Sequence, residues 1–252
     1  MRRRLHAALL PAAVLALALA GCGGGDDAKT PVAAKPPVTN GVDKLPATEI
    51  LAKTKAAALA ASSVHYTGGM DSDGQSVKFD VRASQVGDGQ GDITFAGISF
   101  SMLRKGSDVF FKGDDSFYKQ FSGAAGEAEA VKMLKGKYLK GSATDAKWSG
   151  LSSFTDSDDF LRSMFEEDDK TAKYSVGEKK DVGGVAAVSI VQSGKNPGVM
   201  WVSLVGEPLP LRIEGGTGKD EGSLTFTDWN KPIEVTVPAE AEVIDPKNLP
   251  KP

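Results

Sequence analysis

Val77-Lys78-Phe79-Asp80-Val81-Arg82-Ala83 alternates apolar with charged residues without a break. Successive side chains of a strand point to opposite faces, so this spacing gives one buried face and one wet face, the mark of antiparallel sheet. Upstream, Val64, Tyr66, Gly68 and Met70 alternate with His65, Thr67 and Gly69. Downstream, residues 93–95 and 98–102 form a pair around the tight connection Ala96-Gly97, and 108–112 and 117–121 continue the run, with Gly113-Asp114-Asp115 between them. The pattern resumes at residues 174–178, 185–191, 199–204, 209–214, 223–229 and 233–237, punctuated by Gly183-Gly184 and by glycines at 215, 216 and 218. The pattern gives about eleven strands in one contiguous unit, with no fixed-period repeat.

Three helices interrupt the strands. Leu45-Pro46-Ala47-Thr48-Glu49 is a helix start, with proline in the first turn and an acid near the positive end. Ile50, Leu51, Thr54, Ala58 and Ala61 then recur every three or four residues, so 47–61 reads as an amphipathic helix with a thin apolar stripe. Residues 124–134 read as a second helix. Residues 157–165 read as a third, with Asp156 as N-cap, Asp158 and Asp159 in the first turn, and Phe160, Leu161, Met164 and Phe165 on one face.

The N-terminal region has a different character. Arg2-Arg3-Arg4 precede an apolar run from Ala7 to Ala20, interrupted by Pro11. A basic start and a short apolar stretch before small residues describe a secretory signal peptide; a membrane-spanning helix needs about 20 apolar residues. Leu19-Ala20-Gly21-Cys22 resembles the bacterial lipobox, in which diacylglycerol is attached to the cysteine and the peptidase cuts just before it. Cys22 is the single cysteine of the chain. Residues 1–21 are therefore expected to be removed and Cys22 to carry acyl chains such as palmitate. Two or more such chains at ~0.8 kcal/mol per buried methylene make a durable anchor. Residues 22–44 are rich in Gly, Pro, Ala and Lys, and read as a flexible tether spanning roughly 25 Å as a coil. Residues 45–245 would form the domain and 246–252 a tail, held at the extracytoplasmic face of the cell membrane.

Composition excludes several functions. The chain has 30 Lys and Arg against 33 Asp and Glu, and loss of Arg2, Arg3 and Arg4 leaves 27 against 33, a net charge of −6. A mildly acidic body without a basic run argues against nucleic acid. One cysteine excludes internal disulfides and thiolate metal cages. Of two histidines only His65 lies outside the signal segment, and its place opposite Val64 and Tyr66 turns it outward, away from any serine nucleophile. No Gly-x-Ser-x-Gly elbow occurs. Gly215-Gly216-Thr217-Gly218-Lys219-Asp220 lacks the first glycine and the Ser or Thr of a phosphate loop and precedes a strand, so it is a hairpin turn. Asp71-Ser72-Asp73-Gly74 lacks the later ligands of a calcium loop. Glu166-Glu167-Asp168-Asp169 follow a helix as a solvated acidic loop. No catalytic residue, metal site or cofactor is assigned.

Several segments together carry a family likeness. Besides the lipobox and tether these are Ser62-Ser63-Val64-His65, Phe111-Lys112-Gly113-Asp114, Lys135-Gly136-Lys137-Tyr138-Leu139, Asp181-Val182-Gly183-Gly184-Val185 and Asp228-Trp229-Asn230-Lys231-Pro232. Their order along residues 45–244 resembles the LppX/LprG family of envelope lipoproteins, a branch of the LolA/LolB-like half-barrels. The resemblance implies an α+β fold, a strongly curved antiparallel sheet with helices on its concave side and an apolar cavity between them. Relatives hold lipids or glycolipids there. On this reading the protein is a non-enzymatic monomer that binds or carries an acyl-chain ligand. Phe79, Val81, Phe95, Phe100, Met102, Val188 and Ile190 are its candidate cavity lining. The alternative is a closed core and a module that docks a partner protein or envelope polymer.

Overall fold

The computed structural model describes residues 38–72, 75–121, 128–166, 171–216 and 221–246. The signal segment, Cys22 and most of the tether lie outside these residues, as do Asp73, Gly74, the acidic residues 167–169 and the hairpin residues 217–220.

After a single 3-10 turn at Val42–Lys44, the first helix, α1, spans Ala47–Ala60 and buries Ala47, Ile50, Thr54 and Ala58. That stripe is the one its three-to-four spacing dictates. Five strands follow: β1 (Ser63–Ser72), β2 (Gln75–Ser84), β3 (Gly89–Phe95), β4 (Ile98–Lys105) and β5 (Asp108–Gly113). A helical interlude holds α2 (Asp115–Phe121), α3 (Ala128–Leu134), β6 (Tyr138–Ser142), α4 (Ser149–Ser152), a 3-10 turn at Ser153–Thr155 and α5 (Ser157–Phe165). Asp156 caps α5 as expected, its carboxylate accepting from the Asp159 amide at 3.3 Å. The chain closes with β7 (Lys173–Val182), β8 (Val185–Ser193), β9 (Gly198–Ser203), β10 (Pro210–Gly215), β11 (Gly222–Thr227) and β12 (Val243–Ile244).

All twelve strands join one curved, unclosed sheet in the order β12-β6-β5-β4-β3-β2-β1-β11-β10-β9-β8-β7. Every pairing is antiparallel except β12 with β6. The register carries one row of paired residues across the inner face: Ile190, Met200, Ile213, Leu224, Gly68, Phe79, Ile93, Phe100 and Gly113. A second row holds Phe226, Tyr66, Val81, Gly91, Met102, Phe111 and Leu139. Period-two alternation on each strand thus merges into one apolar surface, which the helices cover.

The structure corrects four expectations. Residues 117–121 are helical, because Asp114 accepts from the Phe117 amide at 2.8 Å and starts a helix; Phe117 and its neighbour Tyr118 are both buried, which a strand exposed on one face forbids. Residues 138–142 form a strand the alternation did not reveal, paired with β5. Residues 233–237 form no strand with the described residues: Asp228 and Asn230 adopt left-handed backbone at φ 52° and 61° and turn the chain off β11, and Pro232 and Pro238 bracket the segment. Residues 243–244 add an unexpected strand beside β6, so that the described residues hold twelve strands, and α2 and the short α4 join the three expected helices, of which 124–134 is described from Ala128 onward.

Candidate functional site

Buried residues fall into two clusters. The larger joins β1–β6 and β11 to helices α2–α5. In it Phe100 stacks on Phe117 at 5.0 Å between ring centres, Phe111 on Trp148 at 4.8 Å and Tyr66 on Phe160 at 4.1 Å. Two glycines allow aromatics of α2 and of the turn before α4 to lie directly on the sheet. A Cβ at Gly113 would come within 2.6 Å of Phe117, and one at Gly141 within 2.5 Å of Trp148. Tyr66 is fully buried and donates its hydroxyl to the Phe154 carbonyl at 2.6 Å, and burial pushes its phenol pKa well up. This part of the concave face is filled.

The smaller cluster is built differently. Ala47 and Ile50 of α1, with Val42 before it, cover Val188, Val202 and Leu204. Toward the hairpin ends of β8–β10 that cover stops. There Leu51, Met164, Tyr174, Ile190, Met200 and Ile213 form the apolar half of the lining of a cleft of about 300 Å³, and Glu166, Gln192, Asn196 and Glu214 contribute to its polar half. A second hollow of about 280 Å³ lies beside it, between Met70 of β1 and Ile213 and Leu224 of β10 and β11. The two share Ile213, Gly215 and Gly216. A hollow of about 330 Å³ near Trp148 is bordered mainly by charged groups, Asp108, Lys140, Asp145 and Lys147, with Lys140 paired to Asp108 at 2.9 Å.

The seven candidate lining residues separate on this geometry. Phe79, Val81, Phe100 and Met102 are buried in the larger cluster, where rings from the helices cover them: Phe79 meets Phe154 at 5.2 Å and Phe100 meets Phe117. Phe95 shares their face but lies at the β3–β4 turn, past the reach of the helices, and is 41% exposed. Val188 is wholly buried under α1, and Ile190 lines the cleft. Leu51, Met164, Tyr174, Met200 and Ile213 were not singled out in the sequence. The alternation places Met200 and Ile213 on the inner face, yet no local signal says which part of that face a helix leaves uncovered.

His65 faces outward, its Nε2 2.8 Å from Asp80 Oδ1 and its Nδ1 3.2 Å from Thr227 Oγ1. None of the hollows described above includes these residues. Among the described residues no group of His, Cys, Asp and Glu is arranged to hold a metal, and no helix is long and apolar enough to cross a membrane.

The architecture matches a solved one, LprF from Mycobacterium bovis, with a TM-score of 0.52 over 77% of this chain and 97% of that one, at 16% identity. The chain has the fold of LprF. The lipoprotein LppX of Mycobacterium tuberculosis also aligns, with a TM-score of 0.47 at 14% identity over 75% of this chain and 99% of that one. No family model and no curated protein matches the sequence. In this LprF-like fold the cleft lies where α1, the end of α5 and strands β7–β10 meet.

Proposed function

We propose that the protein is an extracytoplasmic lipoprotein, anchored through acyl chains on Cys22, which binds or carries a hydrocarbon chain in the cleft between α1, α5 and β8–β10. The observation that carries this reading is the lining: Leu51, Met164, Met200 and Ile213 are apolar and half-buried over the buried Ile190, at a cleft of about 300 Å³. Ligand sites are typically about 300–1,000 Å³, so this one takes a single chain and not several. At ~0.8 kcal/mol per buried methylene, eight methylenes offer about 6 kcal/mol without any hydrogen bond. The polar groups bordering the cleft, Glu166, Gln192 and Asn196, would meet the ligand's polar end. The name of LppX as a lipoprotein agrees with the lipobox reading of Cys22. The reading needs no cofactor, catalytic group or nucleic acid, and a monomer suffices for it.

Native mass spectrometry of protein made in its own envelope tests both parts. The expected result is an acylated Cys22 and a co-purifying lipid that Met200→Trp removes. A mature mass with unmodified Cys22 would defeat the anchor. Lipid-free protein that also binds no added fatty acid would leave the packed larger cluster as the basis for the other reading, a tethered docking module for a partner protein or polymer.

A further inference from the structure

Gly215 lies on the inner face of β10, two residues beyond Ile213, and lines both the cleft beneath α1 and the groove beside Met70. Gly215 is the last residue of β10, just before the turn glycine Gly216, and a glycine there can serve a bulge, a bend, a close backbone or a ligand. Among the described residues none of the first three is seen at this position. Its pairings with Gly198 and Gly222 are regular, the irregularity of β10 falling between Pro210 and Arg212. Its φ is outside the left-handed region that Gly216 occupies. A Cβ built on it meets only the Pro197 carbonyl oxygen, at 3.8 Å, whereas one on Gly222 would come 2.7 Å from the Met70 Cβ. Packing therefore dictates glycine at 222 and leaves 215 free to carry a side chain, one that would project into space common to both hollows.

We propose that Gly215 sets the length of hydrocarbon chain the protein accepts, by keeping open a passage over β10 from the cleft into the groove beside Met70. A tail entering under Leu51 and Met164 crosses Gly215 and ends against Met70 and Leu224. This rests on the cleft being the ligand site. It adds that long tails use both hollows and short tails only the first.

The test is isothermal titration of the purified full chain with n-alkylphosphocholines below their micelle concentrations, from about eight to about sixteen carbons; burial of each further methylene raises affinity about fourfold. In the unaltered protein affinity should climb through the series. In Gly215→Leu it should stop climbing several carbons earlier, with the shortest chains the least affected and the longest bound more than tenfold more weakly. Gly215→Ala should fall between, and melting curves of both variants should match the parent. An unchanged length profile, or an equal loss at every length, overturns the role of Gly215 while leaving the cleft as a binding site. An unaltered protein that binds no member of the series overturns the cleft reading and this inference together.

Discussion

Strands β2–β6 and strands β8–β10 carry the same kind of inner face, an apolar residue at every second position, yet they end up in different states. Over β2–β6, Phe117 of α2, Trp148 at the start of α4 and Phe154 of the 3-10 turn descend onto Phe100, Phe111 and Phe79, with Gly113 and Gly141 making room. Over β8–β10 a single helix supplies the cover, and its buried stripe is Ala47, Ile50, Thr54 and Ala58, three of them small. Met200 and Ile213 are consequently left with open space on one side, above the buried Ile190. Aromatic cover closes a concave sheet; a small-residue stripe leaves part of it available. A single fold can thus hold a rigid wall and a cleft side by side.

Truncation should separate the two regions most. Phe111→Ala removes a fully buried ring stacked on Trp148 and should cost about 3–5 kcal/mol in urea unfolding. Met200→Ala, at the half-open cleft, should cost less than about 2 kcal/mol, since part of its side chain already faces space. Equal losses would erase the distinction between wall and cleft.

Enlargement should act in the opposite sense. Phe100→Trp meets Phe117 and should destabilise by about 1–3 kcal/mol through overpacking, without a specific effect on ligand. Met200→Trp should instead fill the cleft from its half-buried wall, abolishing ligand uptake with a smaller effect on the melting temperature. Normal uptake by a folded Met200→Trp protein would move the site elsewhere.

A smaller effect is expected where the 3-10 turn at Ser153–Thr155 is tied to the sheet. Tyr66→Phe leaves the stacked ring in place but removes the hydroxyl that donates to the Phe154 carbonyl, and should cost about 1 kcal/mol. No loss in thermal unfolding would mean that the ring alone holds the turn.

The smallest effect concerns acid. Asp88 accepts from Lys105 Nζ at 2.6 Å and from the Gly106 amide at 2.7 Å, and these bonds hold its carboxyl below the usual range. A carboxyl with a lowered folded-state pKa stabilises the fold above its unfolded pKa of about 4, and that contribution fades as pH falls through the folded value. Stability measured from neutral pH downward should fall less steeply in Asp88→Asn. The ligand affinity of the cleft, which lies at the other end of the strands, should not change with it.

The elements were legible to different degrees for physical reasons. Strands β2 and β4 stand out in the sequence because each has one wet face, and α5 because Asp156 and its acidic first turn mark a start. Residues 117–121 misled because Phe117, Lys119 and Phe121 mimic strand spacing, while the signal that decides for helix is one hydrogen bond from the Phe117 amide to Asp114. Strand β6 was hidden because its five residues gain their order from β5 and β12 on either side.

The same division holds for the molecule as a whole. Alternation along each strand settled which residues of β1–β5 and β8–β11 face inward, because side-chain direction in a strand is a local property with period two. Cys22 as the lipid-bearing residue is likewise a reading of adjacent residues alone. Which inward residues are covered and which line a cleft was decided by register and by where helices far away in sequence come to rest. Phe100 and Met200 look equivalent along the chain, and only Phe117 packed on one and the edge of α1 ending near the other make them a wall and a binding surface.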